Sequence, residues 1–399
     1  MQRIGSMQQR ITRTYKAIAI LSLNALVIAG GAELIARGAV TAWTSIGAKE
    51  EPRDARQLSS YYRDKSWAHQ YWDEYARSEK QQYHAFTVWR RAAFRGQTIN
   101  IDSDGIRITP GSDCSRGAFR VFTFGSSTMW GTGAPDWGTI PAYLEAGLKR
   151  NRQGPICVTN FGESGYVSTQ SVIALMLQIQ AGNIPNLAIF FDGASDIYAG
   201  YQSGRAGAIH ENFELTAARV ERRDLPTSPL VIQALKSTSL FRLADSQVSK
   251  LSATQGTGAK AVTYETMKID RTALADSIAD TYLNNYHTVD GLARRYGFAF
   301  YYFWPPTLSK GKKPLTGEEI VLTRRTDPAL HRLVDAVYAT MDARIGPQYQ
   351  NLFSITDLFD QCTSLIWLDD NHTTPVGNKM IAERMLRAMT ETGPSLSSN

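Results

Sequence analysis

The sequence predicts an α/β protein in which a doubly wound parallel sheet is flanked by helices in three layers. Apolar runs rich in β-forming residues recur along the chain, at 119–124, 156–161, 187–192 and 298–303, with a weaker run at 352–355. Near-continuous apolar runs are typical of parallel strands that are buried on both faces. Helical patterns lie between these runs, and regular alternation of strands and helices favours a parallel sheet over an antiparallel one.

Two of the intervening helices are marked by their periodicity. In 169–181 the apolar residues Val172, Leu175 and Ile179 fall on one helical face. The pattern at 272–296 begins at Thr272, an N-capping residue type, and ends before Gly297, a C-capping type. Residues 201–263 interrupt the alternation and are rich in Ser, Thr, Gly and charge. We interpret them as an insertion with a short apolar helix near 230–243, either a lid or a variable surface excursion.

The amino-terminal region predicts a membrane anchor. Residues 1–16 form a basic tail, and residues 17–37 form an apolar segment long enough to span a bilayer. Positive charge before the span favours a cytoplasmic amino terminus, with the rest of the chain on the other side. A cleaved signal peptide has the same layout, and a buried core helix is the other alternative. The favoured interpretation is an uncleaved single-pass anchor, with the domain that follows it outside the cytoplasm.

Residues 38–117 are expected to connect this anchor to the main domain, which we place at 118–392. Trp67, Tyr71 and Tyr75 recur every four residues and predict one face of a helix. This stripe is expected to pack on the main domain or to rest at the membrane surface, in preference to stacking on a sugar. The dipeptide Asp104-Gly105 predicts a tight turn.

Charge and cysteine content limit the classes of function. The chain has 399 residues and a net charge of +6, and four of those charges lie in the first 16 residues. Basic and acidic residues are interleaved elsewhere, so no nucleic-acid partner is expected. The three cysteines, Cys114, Cys157 and Cys362, show no metal-binding spacing. Cys114 and Cys157 flank neighbouring strands and are either bridged or free thiols. No cofactor is expected.

A serine at the end of the first strand is the candidate nucleophile. The run 119–124 stops at Gly125, and Ser127 follows at the edge where open α/β sheets bind ligands. A serine hydroxyl needs a neighbouring base, and His372, before the last predicted helix, is the candidate. Asp369 lies three residues before the histidine and is expected to fix its tautomer. Asp370 is the second choice for this role.

Acyl transfer also needs donors that stabilise the developing oxyanion. The candidates are the N–H groups of Ser127 and Gly165 and the side chain of Ser195. Gly165 follows the second strand and Ser195 follows the third, so both are expected at the same sheet edge as Ser127. A sharp turn after the second strand is the simpler explanation for Gly165.

These motifs resemble the SGNH (GDSL-type) esterase and acyltransferase superfamily. Its G-D-S block corresponds to Gly125-Ser126-Ser127, its second-block glycine to Gly165 and its D-x-x-H block to Asp369 and His372. Segments such as INIDSDGIR, GSSTMWGTGAPDWGTIPAYLE and HTTPVGNKMIAERM resemble a bacterial membrane-anchored branch of it. This resemblance implies a single-pass protein of the bacterial inner membrane with a periplasmic domain. The third block usually reads G-x-N-D, whereas this chain has Ser195 at the asparagine position. Loss of one oxyanion donor typically costs about a hundred- to a thousandfold in rate.

The resemblance implies three functions. The first is an esterase that removes an acyl group, expected to be acetyl, from a glycan or lipid near the membrane. The second is an O-acyltransferase that passes the same acyl group to a sugar, with a membrane-embedded acyl donor protein as partner. The third is a non-catalytic subunit of a membrane complex, which the serine at position 195 favours and the intact Ser, His and Asp set opposes.

Overall fold

The computed structural model describes residues 2–45, 54–207, 210–211 and 262–392. These residues belong to two compact units, the first containing 2–45 and the second containing the rest. The predicted helix near 230–243, and most of the expected insertion, lie outside the described residues.

The first unit contains one long helix, α1 (Gln2–Ser45). Its segment Thr14–Gly38 is 25 residues long and apolar enough to cross a membrane. This segment includes the predicted span at 17–37. Glu33, which interrupts the apolar segment, forms an ion pair of 3.0 Å with Arg37 one helical turn later.

The second unit alternates strands and helices as predicted. It begins with α2 (Ala68–Ser78), β1 (Gln81–His84), β2 (Val88–Arg91), β3 (Phe94–Arg95) and β4 (Asn100–Ile101). The main alternation follows with β5 (Phe119–Gly125), α3 (Ser127–Trp130), α4 (Ile140–Asn151), β6 (Ile156–Asn160), α5 (Ser168–Gln180), β7 (Leu187–Phe191) and α6 (Ala194–Ser203). It ends with α7 (Arg271–Tyr296), β8 (Ala299–Trp304), α8 (Gly317–Thr323), α9 (Pro328–Arg344), β9 (Leu352–Ser354) and α10 (Pro375–Thr392).

Five parallel strands form the central sheet, in the order β6-β5-β7-β8-β9. Apolar residues on one face pack with α5, α6, α7 and α9, and those on the other face pack with α4 and α10. The predicted doubly wound, three-layer α/β fold is therefore confirmed. The strand order reverses between β5 and β7, and ligand sites of such sheets lie at the carboxyl end of this switch point.

The ends of the long helix α7 differ in part from the prediction. Its N-cap is Asp270, whose side chain accepts a hydrogen bond from the Ala273 N–H, so the expected cap at Thr272 is wrong. Both residue types cap helices, and the aspartate lies first along the chain. Gly297 ends the helix in the left-handed conformation, as predicted.

Residues 54–117 of the region expected to connect anchor and domain belong to the second unit. Tyr71, Trp72 and Tyr75 of α2 are buried and form a cluster with Trp130 of α3. The aromatic stripe thus packs on the main domain. Asp104-Gly105 forms the predicted turn, with Gly105 at a φ of +76°.

A disulfide joins Cys114 to Cys157 at the start of β6, with their Cα atoms 4.5 Å apart. The bridge attaches the loop before β5 to the edge strand of the sheet. Cys362 is not in a disulfide.

Glu74 of α2 holds the segment that leads into β4. Its buried carboxylate accepts hydrogen bonds from the N–H groups of Gln97, Thr98 and Ile99, at 2.7, 2.8 and 3.0 Å, and from the Thr98 hydroxyl. Burial alone would raise the pKa of Glu74, but these hydrogen bonds outweigh burial and lower the pKa to about 2.

We expect the Glu74→Gln variant to lose about 2 kcal/mol of unfolding free energy at pH 7, because an amide cannot accept all of these bonds. The folded pKa lies below the unfolded one, so the stabilisation is present above about pH 4.5 and fades as the pH falls towards 2. Urea unfolding at several pH values measures both effects. Between about pH 4.5 and 2, the unfolding free energy of the Glu74→Gln variant should fall less steeply than that of the parent. The control Glu79→Gln, at an exposed position on the same segment, should match the parent.

Candidate active site

Ser127 lies at the carboxyl end of β5 because the chain turns sharply at Gly125. A Cβ at Gly125 would lie 2.5 Å from the Phe191 carbonyl oxygen and 2.8 Å from the Met129 Cβ, so only glycine fits. Ser126 is the N-cap of the short helix α3, and Ser127 is its first residue. The N–H of a first helical residue has no carbonyl partner within its own helix, and it is available to a ligand.

His372 meets Ser127 from the other end of the sequence. The Nε2 atom of His372 lies 2.6 Å from the Ser127 Oγ atom, across a separation of 245 residues. His372 is 8% exposed as a whole residue, and it lies in the loop that precedes α10. The structure therefore brings together the serine and the histidine that the sequence analysis predicted as candidates.

Asp369 binds the other nitrogen of the same ring. Its carboxylate oxygens lie 2.7 and 2.9 Å from the His372 Nδ1 atom. Because a carboxylate only accepts, this contact places a proton on Nδ1 and leaves Nε2 free to accept from the Ser127 hydroxyl. Burial would raise the pKa of Asp369, but His372 and then Arg56 lower it well below its usual range, so the carboxylate stays ionised at neutral pH.

Asp370 was the second candidate for the residue that orients His372, and its carboxylate does not contact that histidine. Its carboxylate accepts a hydrogen bond from the Thr326 hydroxyl at 2.7 Å and lies 3.5 Å from the Tyr198 hydroxyl. Burial raises the pKa of Asp370, and Asp369 raises it further. The adjacent aspartates thus have different surroundings, and Asp369 is the one that contacts the histidine.

Arg56 is a site residue that the sequence did not indicate. Its Nη1 atom lies 3.0 Å from His372 Nδ1 and 3.3 Å from the Asp369 carboxylate. Asp54 holds the guanidinium with an ion pair of 2.6 Å. The residues come from a short 3-10 helical segment before α2 that carries no recognisable motif. A cation is thus fixed beside the His–Asp pair.

The other oxyanion candidates are brought to the same edge but have a further neighbour. Ser195 is the second residue of α6 and is 3% exposed, and the Glu211 carboxylate lies nearby. The same carboxylate lies 3.2 Å from where a Cβ on Gly165 would be. Burial raises the pKa of Glu211, and the nearby Ser195 hydroxyl opposes this. Sequence reasoning missed Glu211, which belongs to the expected insertion.

Two arginines hold the short helix α3 that begins with Ser127. The ring of Trp130, the last residue of α3, is stacked between two guanidinium groups, with Arg91 at 3.8 Å and Arg107 at 4.2 Å from the ring centroid. Arg107 also donates to the carbonyls of Trp130, Gly131 and Ala134, at 3.1, 2.8 and 2.7 Å. These contacts fix α3, and therefore Ser127, relative to the sheet.

The assembled groups form a Ser–His–Asp relay at the switch point of a parallel sheet. Such a relay transfers the serine proton to the histidine as the oxygen attacks an electrophilic carbon. Across the described ranges, no group of three or more His, Cys, Asp or Glu side chains is arranged to hold a metal ion.

No protein-family model matches the chain. No curated protein matches it either. Solved structures with a similar fold include the lipase Lip_vut3 from a goat rumen metagenome, with 10% identity, a TM-score of 0.38, and coverage of 69% of this chain and 99% of that one. The acetyl xylan esterase AlAXEase has 12% identity and a TM-score of 0.36, with coverage of 67% and 98%.

A member of the lipolytic protein G-D-S-L family from Veillonella parvula DSM 2008 has 11% identity and a TM-score of 0.33, with coverage of 68% of this chain and 97% of that one. At this level of similarity, the function of the chain rests on the geometry of its own site.

Proposed function

We propose that the protein is a membrane-anchored serine esterase that removes a short acyl group, acetyl in the first instance, from a glycan or lipid outside the cytoplasm. The observation that carries this proposal is the unbroken chain of contacts from Ser127 Oγ to His372 Nε2 at 2.6 Å, and from His372 Nδ1 to Asp369 at 2.7 Å.

The reaction follows from these contacts. Ser127 Oγ attacks the ester carbonyl carbon while His372 Nε2 takes the hydroxyl proton, and Asp369 stabilises the imidazolium that forms. The tetrahedral intermediate collapses, the ester C–O bond breaks, and the alcohol leaves with the proton from Nε2. Water then attacks the acyl-serine by the same route, which releases the carboxylic acid and restores the Ser127 hydroxyl.

The oxyanion donors favour slow turnover. The Ser127 N–H lies at a helix start, but the Ser195 hydroxyl has the Glu211 carboxylate as a near neighbour. A carboxylate next to the developing oxyanion would oppose it, so efficient catalysis requires Glu211 to move away or to be protonated. Burial raises the pKa of Glu211, which makes protonation easier than for an exposed glutamate.

A small cavity lies beside the loop that carries the histidine. A space of about 20 Å³ lies between α6, α9 and Asp370 and Asn371 of that loop. Its apolar walls are formed by Ala194, Ile197, Leu330 and Val334, and Ser127, His372 and Asp369 do not line it. A volume of this order holds about one water-sized group, so this space offers no room for a long acyl chain.

The placement outside the cytoplasm is supported by two features. The segment Thr14–Gly38 is long and apolar enough to cross a membrane, and basic residues precede it. The disulfide between Cys114 and Cys157 suits an oxidising compartment.

Labelling with a fluorophosphonate tests the proposed nucleophile. The probe should form a phosphonyl ester on Ser127 with loss of fluoride, and mass spectrometry of the labelled peptide locates the adduct. We expect Ser127→Ala to abolish labelling and Ser126→Ala, at the adjacent position, to retain it. Equal labelling of the Ser127→Ala variant and the parent would refute the proposal.

Comparing acetate and octanoate esters of p-nitrophenol then tests acyl length, with the acetate expected to turn over faster.

A further inference from the structure

Arg56 lies at the outer end of the Ser–His–Asp relay, between two carboxylates. Its Nε and Nη2 atoms bind the Asp54 carboxylate at 2.9 and 2.6 Å. Its third nitrogen, Nη1, faces the relay and lies 3.3 Å from Asp369 Oδ2 and 3.0 Å from His372 Nδ1. Because a guanidinium group is planar and rigid, the two bonds to Asp54 fix the direction in which Nη1 points.

The short distance between Arg56 and His372 is not a hydrogen bond in the catalytic form of the ring. An arginine nitrogen only donates, and His372 Nδ1 also donates when its proton lies towards Asp369 Oδ2 at 2.7 Å. Two donors cannot bond each other, so the hydrogen on Arg56 Nη1 is left to the Asp369 carboxylate. That one oxygen therefore accepts from the histidine and from the arginine.

The opposite assignment of protons would stop the relay. If Arg56 donated to His372 Nδ1, the ring proton would lie on Nε2, which is 2.6 Å from the Ser127 Oγ atom. A protonated Nε2 cannot accept the serine proton. Arg56 therefore supports the relay only while its hydrogen goes to Asp369, and the position of that carboxylate decides which arrangement forms.

The charges around Arg56 favour the arrangement in which it binds Asp369. A bare positive charge beside His372 would oppose the imidazolium that forms during hydrolysis, but the Asp54 carboxylate lies 2.6 Å from the same guanidinium and offsets it. Asp54 is itself held in place, because it caps the 3-10 helix Ala55–Leu58 by accepting the Arg56 N–H at 2.9 Å. Negative and positive groups thus alternate from Asp54 to the histidine.

We propose that Arg56 is a positioning residue of the relay, which holds the Asp369 carboxylate against His372 Nδ1 while Asp54 orients the guanidinium. This inference rests on the proposed hydrolysis, because the role it assigns to Arg56 is to keep the His372 ring in the tautomer that accepts the serine proton. In this role the arginine itself transfers no proton.

A kinetic double-mutant cycle on the detergent-solubilised full chain tests this role. Arg56→Gln should lower kcat for p-nitrophenyl acetate by between about tenfold and a hundredfold, with little change in KM, because misplacing a relay group costs about this much. Arg56→Lys keeps the charge and should recover part of the loss. In an Asp369→Asn background, Arg56→Gln should cost less than about threefold further, because the arginine acts through that carboxylate. Arg63→Gln, at an exposed arginine of the same segment, should match the parent.

Two kinetic results would overturn the positioning role. One is a parent-like kcat in Arg56→Gln, and the other is the same fold-loss from Arg56→Gln in the parent and in the Asp369→Asn background. Circular dichroism first checks that Arg56→Gln folds. If it does not, Asp54→Asn takes its place in the cycle, since it removes a partner that orients the guanidinium. Its loss of kcat should likewise disappear in the Asp369→Asn background.

Nitrogen-15 NMR of the full chain with labelled histidines tests the same role without any measurement of activity. The parent should show His372 with its proton on Nδ1, in a signal assigned by its loss in His372→Ala. Arg56→Gln should shift part of this population to the Nε2–H form, and Arg63→Gln should not. An unchanged His372 signal in Arg56→Gln would overturn the positioning role. A signal that responds as expected in a chain that hydrolyses no ester would instead contradict the proposed function, with the positioning role supported.

Discussion

Replacing His372 by alanine is expected to lower kcat for ester hydrolysis by about 10⁵-fold, because loss of the general base of such a relay costs nearly as much as loss of the whole relay. The Nε2 atom at 2.6 Å from the Ser127 oxygen is the only histidine nitrogen in contact with that hydroxyl among the described residues. Steady-state hydrolysis of p-nitrophenyl acetate measures the effect, and KM should change little because the ring acts on a proton.

The exposed His69 provides the matched control, and His69→Ala should retain the parent kcat. Added imidazole should partly restore activity to the His372→Ala variant, since it can enter the space left by the ring and accept the serine proton. A His372→Ala variant with kcat within about tenfold of the parent would exclude the relay as the source of activity.

Replacing Asp369 by asparagine is expected to lower kcat by about 10⁴-fold. The carboxylate fixes the proton of His372 on Nδ1 through contacts of 2.7 and 2.9 Å, whereas an amide can turn its NH₂ group towards the ring and favour the wrong tautomer. Asp369 also accepts the backbone N–H groups of Asn371 and His372, at 3.1 and 2.8 Å. Circular dichroism is therefore needed to show that the loop keeps its conformation.

The neighbouring Asp370 tests whether this loss is specific. Asp370→Asn removes a carboxylate one residue away, which is bonded to Thr326 and does not contact the histidine. We expect less than about a tenfold change in kcat, because the tautomer of the ring is unaffected. Equal losses for the two variants would mean that loop structure, and not the His372 contact, accounts for the effect.

The sheet was predictable because each of its strands is marked by an apolar run in its own stretch of sequence. All five runs became strands within about one residue of their expected ends. The four longer runs are apolar segments long enough to be buried on both faces, whereas β9 is a short edge strand that is only partly buried. The cap of α7 was misplaced by two residues, because Asp270 and Thr272 are both good N-caps and only the packed helix selects between them.

The contact between Ser127 and His372 was predictable for a topological reason. Ser127 follows β5 closely, and His372 lies shortly before α10 in the last connection of the parallel sheet, so the fold brings both to the carboxyl edge of the sheet. Arg56 and Glu211 were not predictable in this way. Arg56 precedes the sheet along the chain and Glu211 lies in the expected insertion, so their positions depend on tertiary packing.

Glu74 shows a third kind of limit. From sequence alone, an acidic residue in a helix with an aromatic stripe is expected on the solvent-facing side of that helix. In the structure, Glu74 is fully buried. Its partners are three consecutive backbone N–H groups. Nearly every residue has such a group, so the sequence does not indicate which of them will bind a carboxylate. The buried carboxylate is therefore visible only in the folded chain.

The contact of Arg56 with the histidine bears on how the protein is to be produced for study. The arginine precedes the first long helix of the globular unit, and Ser60 and Tyr62, shortly after it, bond Glu318 and the Gly133 carbonyl. A soluble fragment trimmed to the apparent start of α2 would lack all three residues. Expression fragments that omit the amino-terminal helix should therefore begin upstream of Asp54, so that Arg56, Ser60 and Tyr62 keep their contacts around the candidate site.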